Sequence, residues 1–127
     1  MNAEIYQISI EQFSRMLGEC PNKGSIMAAA GFSSEIIVGM YESKPLCYIG
    51  IAPRTLLSEA AYIWMITTKA GEDHPFLLGR YSKGLLNVVL GKYSHLFGHC
   101  FESSSARWLK WLGAEFVSVT EFEIRRA

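Results

Sequence analysis

The stretch AAYIWMITT, Ala60 to Thr68, decides how the rest of the chain must be arranged. Up to its two closing threonines every residue is apolar, and the charged Glu59 and Lys69 bound it. Aromatic and β-branched side chains dominate, and the run is short for a buried helix, so it reads as a strand. Side chains alternate between the two faces of a strand, so an uninterrupted apolar run predicts burial on both. A strand of that kind sits at the centre of a sheet with a further layer on each side. The expectation is a mixed α/β fold.

Upstream, EIIVGMY (Glu35 to Tyr41) and PLCYIGIA (Pro45 to Ala52) are β-prone runs separated by Glu42-Ser43-Lys44, which predicts a hairpin. Pro53 to Glu59 then leaves the sheet. Nearer the start, Ile5, Ile8 and Ile10 mark a short β-prone stretch, with a helix expected from Glu11 to Gly18. Pro21, Asn22 and Gly24 interrupt the chain before a helical turn or two from Ser25 to Ala30. Downstream, Lys69 to His74 is polar, contains Gly71 and reads as a loop. Phe76, Leu77, Leu85, Leu86, Val89 and Leu90 recur at mostly helical spacing, so a helix is predicted from Pro75 to Tyr93. HLFGHCF, His95 to Phe101, is a further strand. A helix from Ser103 to Leu112 follows, with Ser103 to Ser105 as N-cap candidates and Gly113 as its C-cap. Ala114 to Arg125 is expected to close the domain as one strand.

The 127 residues suit one domain with one core, spanning 1–127, and half of them are apolar. Twelve basic residues balance twelve acidic ones, so no long-range field favours nucleic acid or an anionic membrane. The three cysteines, Cys20, Cys47 and Cys100, fit neither a disulfide framework nor a zinc-ligand spacing, and read as free thiols with no metal implied. The first residues lack a signal-peptide pattern, and no apolar run is long enough to span a membrane. These features predict a cytoplasmic protein. They leave self-association open.

The order of elements, and above all SSSARWLKWLGAEF (Ser103 to Phe116), resembles the GNAT superfamily of N-acetyltransferases. Trp108, Leu112, Gly113, Ala114 and Phe116 take the places of its closing helix and strand. From Tyr62 to Phe116 the chain is more particularly similar to small GNAT-like virion proteins of short-tailed phages. The shared features are Trp64 to Thr68, the join at Lys92-Tyr93, and Arg107-Trp108-Leu109-Lys110. The resemblance implies a mixed, mostly antiparallel central sheet flanked by helices. It also implies acetyl-CoA as cofactor and transfer to an amine, either a small molecule or a group on a protein. For a phage-encoded protein the setting would be the host cytoplasm or the virion. A non-catalytic interaction or morphogenesis protein on the same fold is the rival reading.

That chemistry asks for N–H groups at a helix start to hold a diphosphate, central strands that part for the pantetheine arm, and groups that move protons. Lys69, Gly71, Arg80 and Lys83 are the candidates for the phosphates, with ordinary solvated surface as the competing explanation for the cations. The segment KAGEDH, Lys69 to His74, departs from the family pattern in having one glycine and two carboxylates. Leu109 stands where the family commonly has a tyrosine acid, and Glu102 where it often has asparagine. Glu59, Tyr81 and His99 are the candidates to replace such groups, although a histidine on an apolar strand is commonly a hydrogen-bonded core residue. Cys100 reads as packed. Trp64 and Trp108 read as core, and Trp111 shares a helix face with Trp108 that runs toward the surface.

Overall fold

The computed structural model describes residues 3–20, 23–53, 59–100, 103–118 and 121–125. Along the chain run β1 (Ala3–Ile8), α1 (Ile10–Leu17), α2 (Lys23–Gly31), β2 (Glu35–Tyr41), β3 (Lys44–Pro53) and β4 (Ala60–Thr67). They are followed by α3 (Lys69–Asp73), α4 (Pro75–Lys92), β5 (His95–Cys100), α5 (Ser103–Trp111), β6 (Glu115–Phe116) and β7 (Glu121–Arg125). The strands form one seven-stranded sheet in the order β1-β2-β3-β4-β5-β7-β6. Every neighbouring pair is antiparallel except β4 with β5, which run parallel. β4 is the fourth of the seven, with strands on both sides, as its continuous apolar run predicts.

Alternation along β4 divides the core in two. Ala61, Ile63 and Met65 face α4 and α5, where they meet Leu85, Leu86, Val89, Leu109 and Leu112. Trp64 and Ile66 face the other way, against Phe13 of α1 and Ile26 and Ala30 of α2. Trp64 is fully buried, and its Nε1 donates to Ser33 Oγ at 2.8 Å, which satisfies its one polar group. The first helix starts at a capping box: Ser9 Oγ accepts from Gln12 N, and Gln12 Oε1 accepts from Ser9 N.

Three local expectations are corrected. The hairpin loop between β2 and β3 is the pair Glu42-Ser43 alone, with φ of 49° and 66°. Both residues are left-handed, as a tight two-residue turn requires, so Lys44 joins the strand. The segment Lys69 to His74 is not a loop, because five of its residues form α3. Thr68 caps that helix with its Oγ accepting from Gly71 N at 3.1 Å, and the same hydroxyl contacts the Pro45 and Leu46 carbonyl oxygens of β3. Gly71 lies so close to the Leu46 carbonyl that a Cβ there would overlap it. Finally, Ala114 to Arg125 is a hairpin rather than one strand: β6 folds back antiparallel on β7, and β7 alone pairs with β5.

Pro21, Asn22, Glu102 and residues 54–58 lie outside the described residues, as do the side chains of Cys100 and of Ser103 to Ser105. Among the described residues no helix is long and apolar enough to cross a membrane, and no group of three or more His, Cys, Asp or Glu could hold a metal ion.

Candidate functional site

In the connection from β4 into α4, the short helix α3 turns two of its N–H groups inward. Gly71 N is taken by Thr68 Oγ, and Glu72 N donates to the Thr68 carbonyl at 3.0 Å. The start of α4 differs. His74 occupies its N-cap without a side-chain cap hydrogen bond, and Pro75 begins the helix. A helix start with no side-chain cap presents N–H groups and the positive end of the helix dipole. Arg80, just over one turn in, lines a cleft of about 450 Å³ there with Tyr41, Asp73, His74 and Phe76. Lys69 reaches the rim through its ion pair with Asp73, at 3.6 Å, which offsets the carboxylate.

Next to the cleft an apolar groove runs between α4 and α5, lined by Phe76, Gly79, Arg107, Trp108 and Trp111. Trp108 Nε1 donates to Ser82 Oγ at 2.9 Å and pins α5 to α4. Trp111 is 58% exposed and Phe76 93% exposed, so the groove has an unusually aromatic rim. Lys83 Nζ lies 5.2 Å from the Trp111 ring centroid. Of the four phosphate candidates, the fold therefore brings Arg80 to the cleft and Lys69 to its edge. It turns Lys83 to the tryptophan and buries Gly71 against β3.

The three candidate proton-moving residues do not converge. Glu59 is exposed at the start of β4, where its carbonyl accepts from His95 N at 3.3 Å. Tyr81 is half-buried on α4, with its phenol pushed up by burial and by Glu4 and partly offset by Arg80. His99 lies on the sheet face opposite α4, within a network that single residues did not reveal. The Tyr62 hydroxyl is 2.9 Å from His99 Nδ1, and His99 Nε2 is 3.3 Å from Glu121 Oε1. Tyr62 and Glu121 escape sequence reading because only the β4–β5 and β5–β7 registers bring them to His99. Leu109, where the GNAT resemblance would put a tyrosine acid, is fully buried and offers no proton.

The β4–β5 ladder runs from Ala60–His95 to Met65–Cys100. Within it the strands are tightly joined, since a Cβ at Gly98 would overlap the Ile63 carbonyl. Any passage between these strands therefore lies past Met65, at the end of β4 that leads into α3 and α4. The donor set at the α4 start, a guanidinium beside an uncapped helix end, fits a diphosphate. The α3 turn does not.

No protein-family model matches the chain, and no curated protein matches it in sequence. Solved structures match its fold along nearly its whole length. An IAA acetyltransferase from Bacillus cereus aligns with a TM-score of 0.66 at 9% identity, over 98% of this chain and all of its own (100%). A GNAT family acetyltransferase from Elizabethkingia anophelis, with acetyl-CoA bound, aligns at 0.64 and 12% identity over 98% and 99% of the two chains. An aminoglycoside N(6')acetyltransferase from Legionella pneumophila gives 0.64 at 8% identity over 97% and 91%. At such identities the likeness is one of fold, and the fold is that of the GNAT acetyltransferases.

Proposed function

We propose that the chain binds acetyl-CoA at the start of α4 and transfers its acetyl group to an amine. The observation that carries this reading is the convergence of Arg80 with the uncapped start of α4 on one cleft. Arg80 would take the diphosphate by a forked, charge-assisted contact, with His74 and the first N–H groups of α4 beside it. The exposed faces of Phe76 and Trp111 offer a stacking surface next to that anion site. When bound, acetyl-CoA supplies the acetyl group as a thioester, whose C–S bond is exchanged for a C–N bond to the amine. Among Glu59, Tyr81 and His99, His99 has the better claim to accept a proton, because Tyr62 and Glu121 orient both ring nitrogens.

A second reading has its own support. The exposed pair Phe76 and Trp111, flanking an apolar groove, suits a protein partner, and Leu109 removes the family's usual acid. On that reading the chain is an interaction or morphogenesis protein, of the phage virion type, that keeps the fold without the chemistry. Thermal denaturation with and without acetyl-CoA separates the two. A ligand at 100 times its dissociation constant adds about 2.7 kcal/mol of stability. Transfer predicts that stabilisation together with release of free CoA thiol when a primary amine is added. An unchanged midpoint at millimolar acetyl-CoA would favour the partner-binding reading.

A further inference from the structure

A second concavity, of about 410 Å³, lies on the sheet face away from α4. Helices α1 and α2 pack on β2, β3 and β4, with Trp64 beneath them. The strip made by β4, β5 and β7 lies beside that cover. Register sets Tyr62 opposite Phe97, His99 opposite Glu121 and Phe97 opposite Glu123. Directly opposed residues share a face, and so do residues two apart on one strand. Tyr62, Phe97, His99, Glu121 and Glu123 therefore point into the same space, and all of them line it.

The groups form an ordered line. Glu121 holds His99 Nε2, and His99 Nδ1 meets the Tyr62 hydroxyl. Nε2, beside the carboxylate, is the nitrogen placed to carry a proton, which leaves Nδ1 to accept from the Tyr62 hydroxyl. Burial, and then Glu121, push the Tyr62 phenol above its ordinary value of 10.0, so it stays protonated and able to donate. The Tyr62 and Phe97 rings meet edge to face with centroids 5.7 Å apart and make an apolar wall. At the far end Glu123 lies 3.6 Å from both His95 Nε2 and Arg125. The pocket thus carries two carboxylates, Glu121 and Glu123, against the single guanidinium of Arg125.

We infer that this pocket receives a primary alkylamine, with its ammonium between the Tyr62 oxygen and Glu121 and its alkyl chain along the Phe97–Tyr62 wall. The inference rests on the transfer reading for the fate of the amine, but not for its binding. Two acceptors and two ring faces suit an ammonium and repel a carboxylate. A proton leaves the ammonium for the Tyr62 oxygen as the Tyr62 proton passes to His99 Nδ1. The amine keeps its lone pair, and the imidazolium left between Tyr62 and Glu121 is stabilised by the carboxylate. His99, whose side chain is 42% exposed, then returns the proton to water. Tyr62 and Glu121 are the residues that touch the amine, and His99 is a positioning residue that acts through Tyr62.

The test uses n-butylamine as probe and the ring resonances of Tyr62 and His99 as readout, on the full chain without acetyl-CoA. Saturable shifts of both rings are expected with n-butylamine, and none with butyrate, which has the same chain and the opposite charge. Glu121→Gln keeps the shape of the side chain and should weaken the amine at least tenfold, while Tyr62→Phe should abolish the His99 shift. Rings that stay in place, or shifts unchanged in Glu121→Gln, would overturn the inference. Acetyl-CoA titrated separately distinguishes the two failures. A chain that binds acetyl-CoA but no amine loses only this pocket, and one that binds amine but no acetyl-CoA loses only the transfer reading.

Discussion

Tyr48 shows how a single side chain can carry an unmet cost. It is buried at 1% exposure, with its ring edge-on to Phe13 at 5.0 Å, yet its hydroxyl has no hydrogen-bond partner among the described residues. Burial, and then the neighbouring Cys47, push its phenol from 10.0 to about 12, and burial pushes the Cys47 thiol from 9.0 to about 12. Both groups thus hold their protons in the folded chain at pH values where the unfolded chain has lost them. Their contribution to stability is complete below the unfolded values near 9 and 10, and it is lost as pH rises toward 12. Tyr48→Phe should therefore be neutral or stabilising by up to about 1 kcal/mol at neutral pH, since it removes an unsatisfied buried group. It should also flatten the alkaline decline. Urea denaturation of both proteins at neutral and alkaline pH checks this, and a loss above about 1 kcal/mol would mean that the hydroxyl has a partner. Trp64, by contrast, was legible as core from its place in an unbroken apolar run.

At the scale of elements, Thr68 ties three of them together. Its hydroxyl caps α3 and contacts β3 carbonyl oxygens at the point where β4 ends. Thr68→Val keeps the shape and deletes those bonds, and it should cost about 1–2 kcal/mol with faster amide exchange at Gly71. Thr68→Ser should restore most of it. Equal stability of the valine and serine variants in urea would show that the hydroxyl does not hold the connection. α3 itself was hidden from sequence reading because five residues are too few for a periodic signal, and because its support comes from Leu46 on another strand. The long signals were legible: the β2–β3 hairpin, β4, α4, and α5 with Gly113 after it all follow from period and capping residues. The β6–β7 hairpin was not, since Phe116, Phe122 and Ile124 look alike whether a strand continues or folds back. The Tyr62–His99 contact spans 37 residues of sequence, and only the parallel register of β4 and β5 creates it.

For the molecule as a whole, a shared fold with almost no shared sequence puts the weight of function on local charge. Twelve positive and twelve negative side chains cancel overall. The cleft at the start of α4 depends on Arg80, on the helix end, and on the Lys69–Asp73 pair that mutes the acidic connection. With Asp73 on the proposed phosphate cleft and Glu72 next to it in sequence, replacing them together (Glu72→Gln with Asp73→Asn) should tighten acetyl-CoA severalfold at low salt, and less at high salt. Arg80 works in the opposite direction, and a forked charge-assisted contact is worth more than a screened surface charge. Calorimetric titration of acetyl-CoA into the wild-type chain, its acid-neutralised variant and Arg80→Ala reads both effects at once. One-to-one binding is expected in the wild type, tighter binding without the two carboxylates, and about tenfold weaker binding without Arg80. An absence of heat at millimolar acetyl-CoA in all three, or one affinity shared by all three, would rule out a phosphate site at the start of α4.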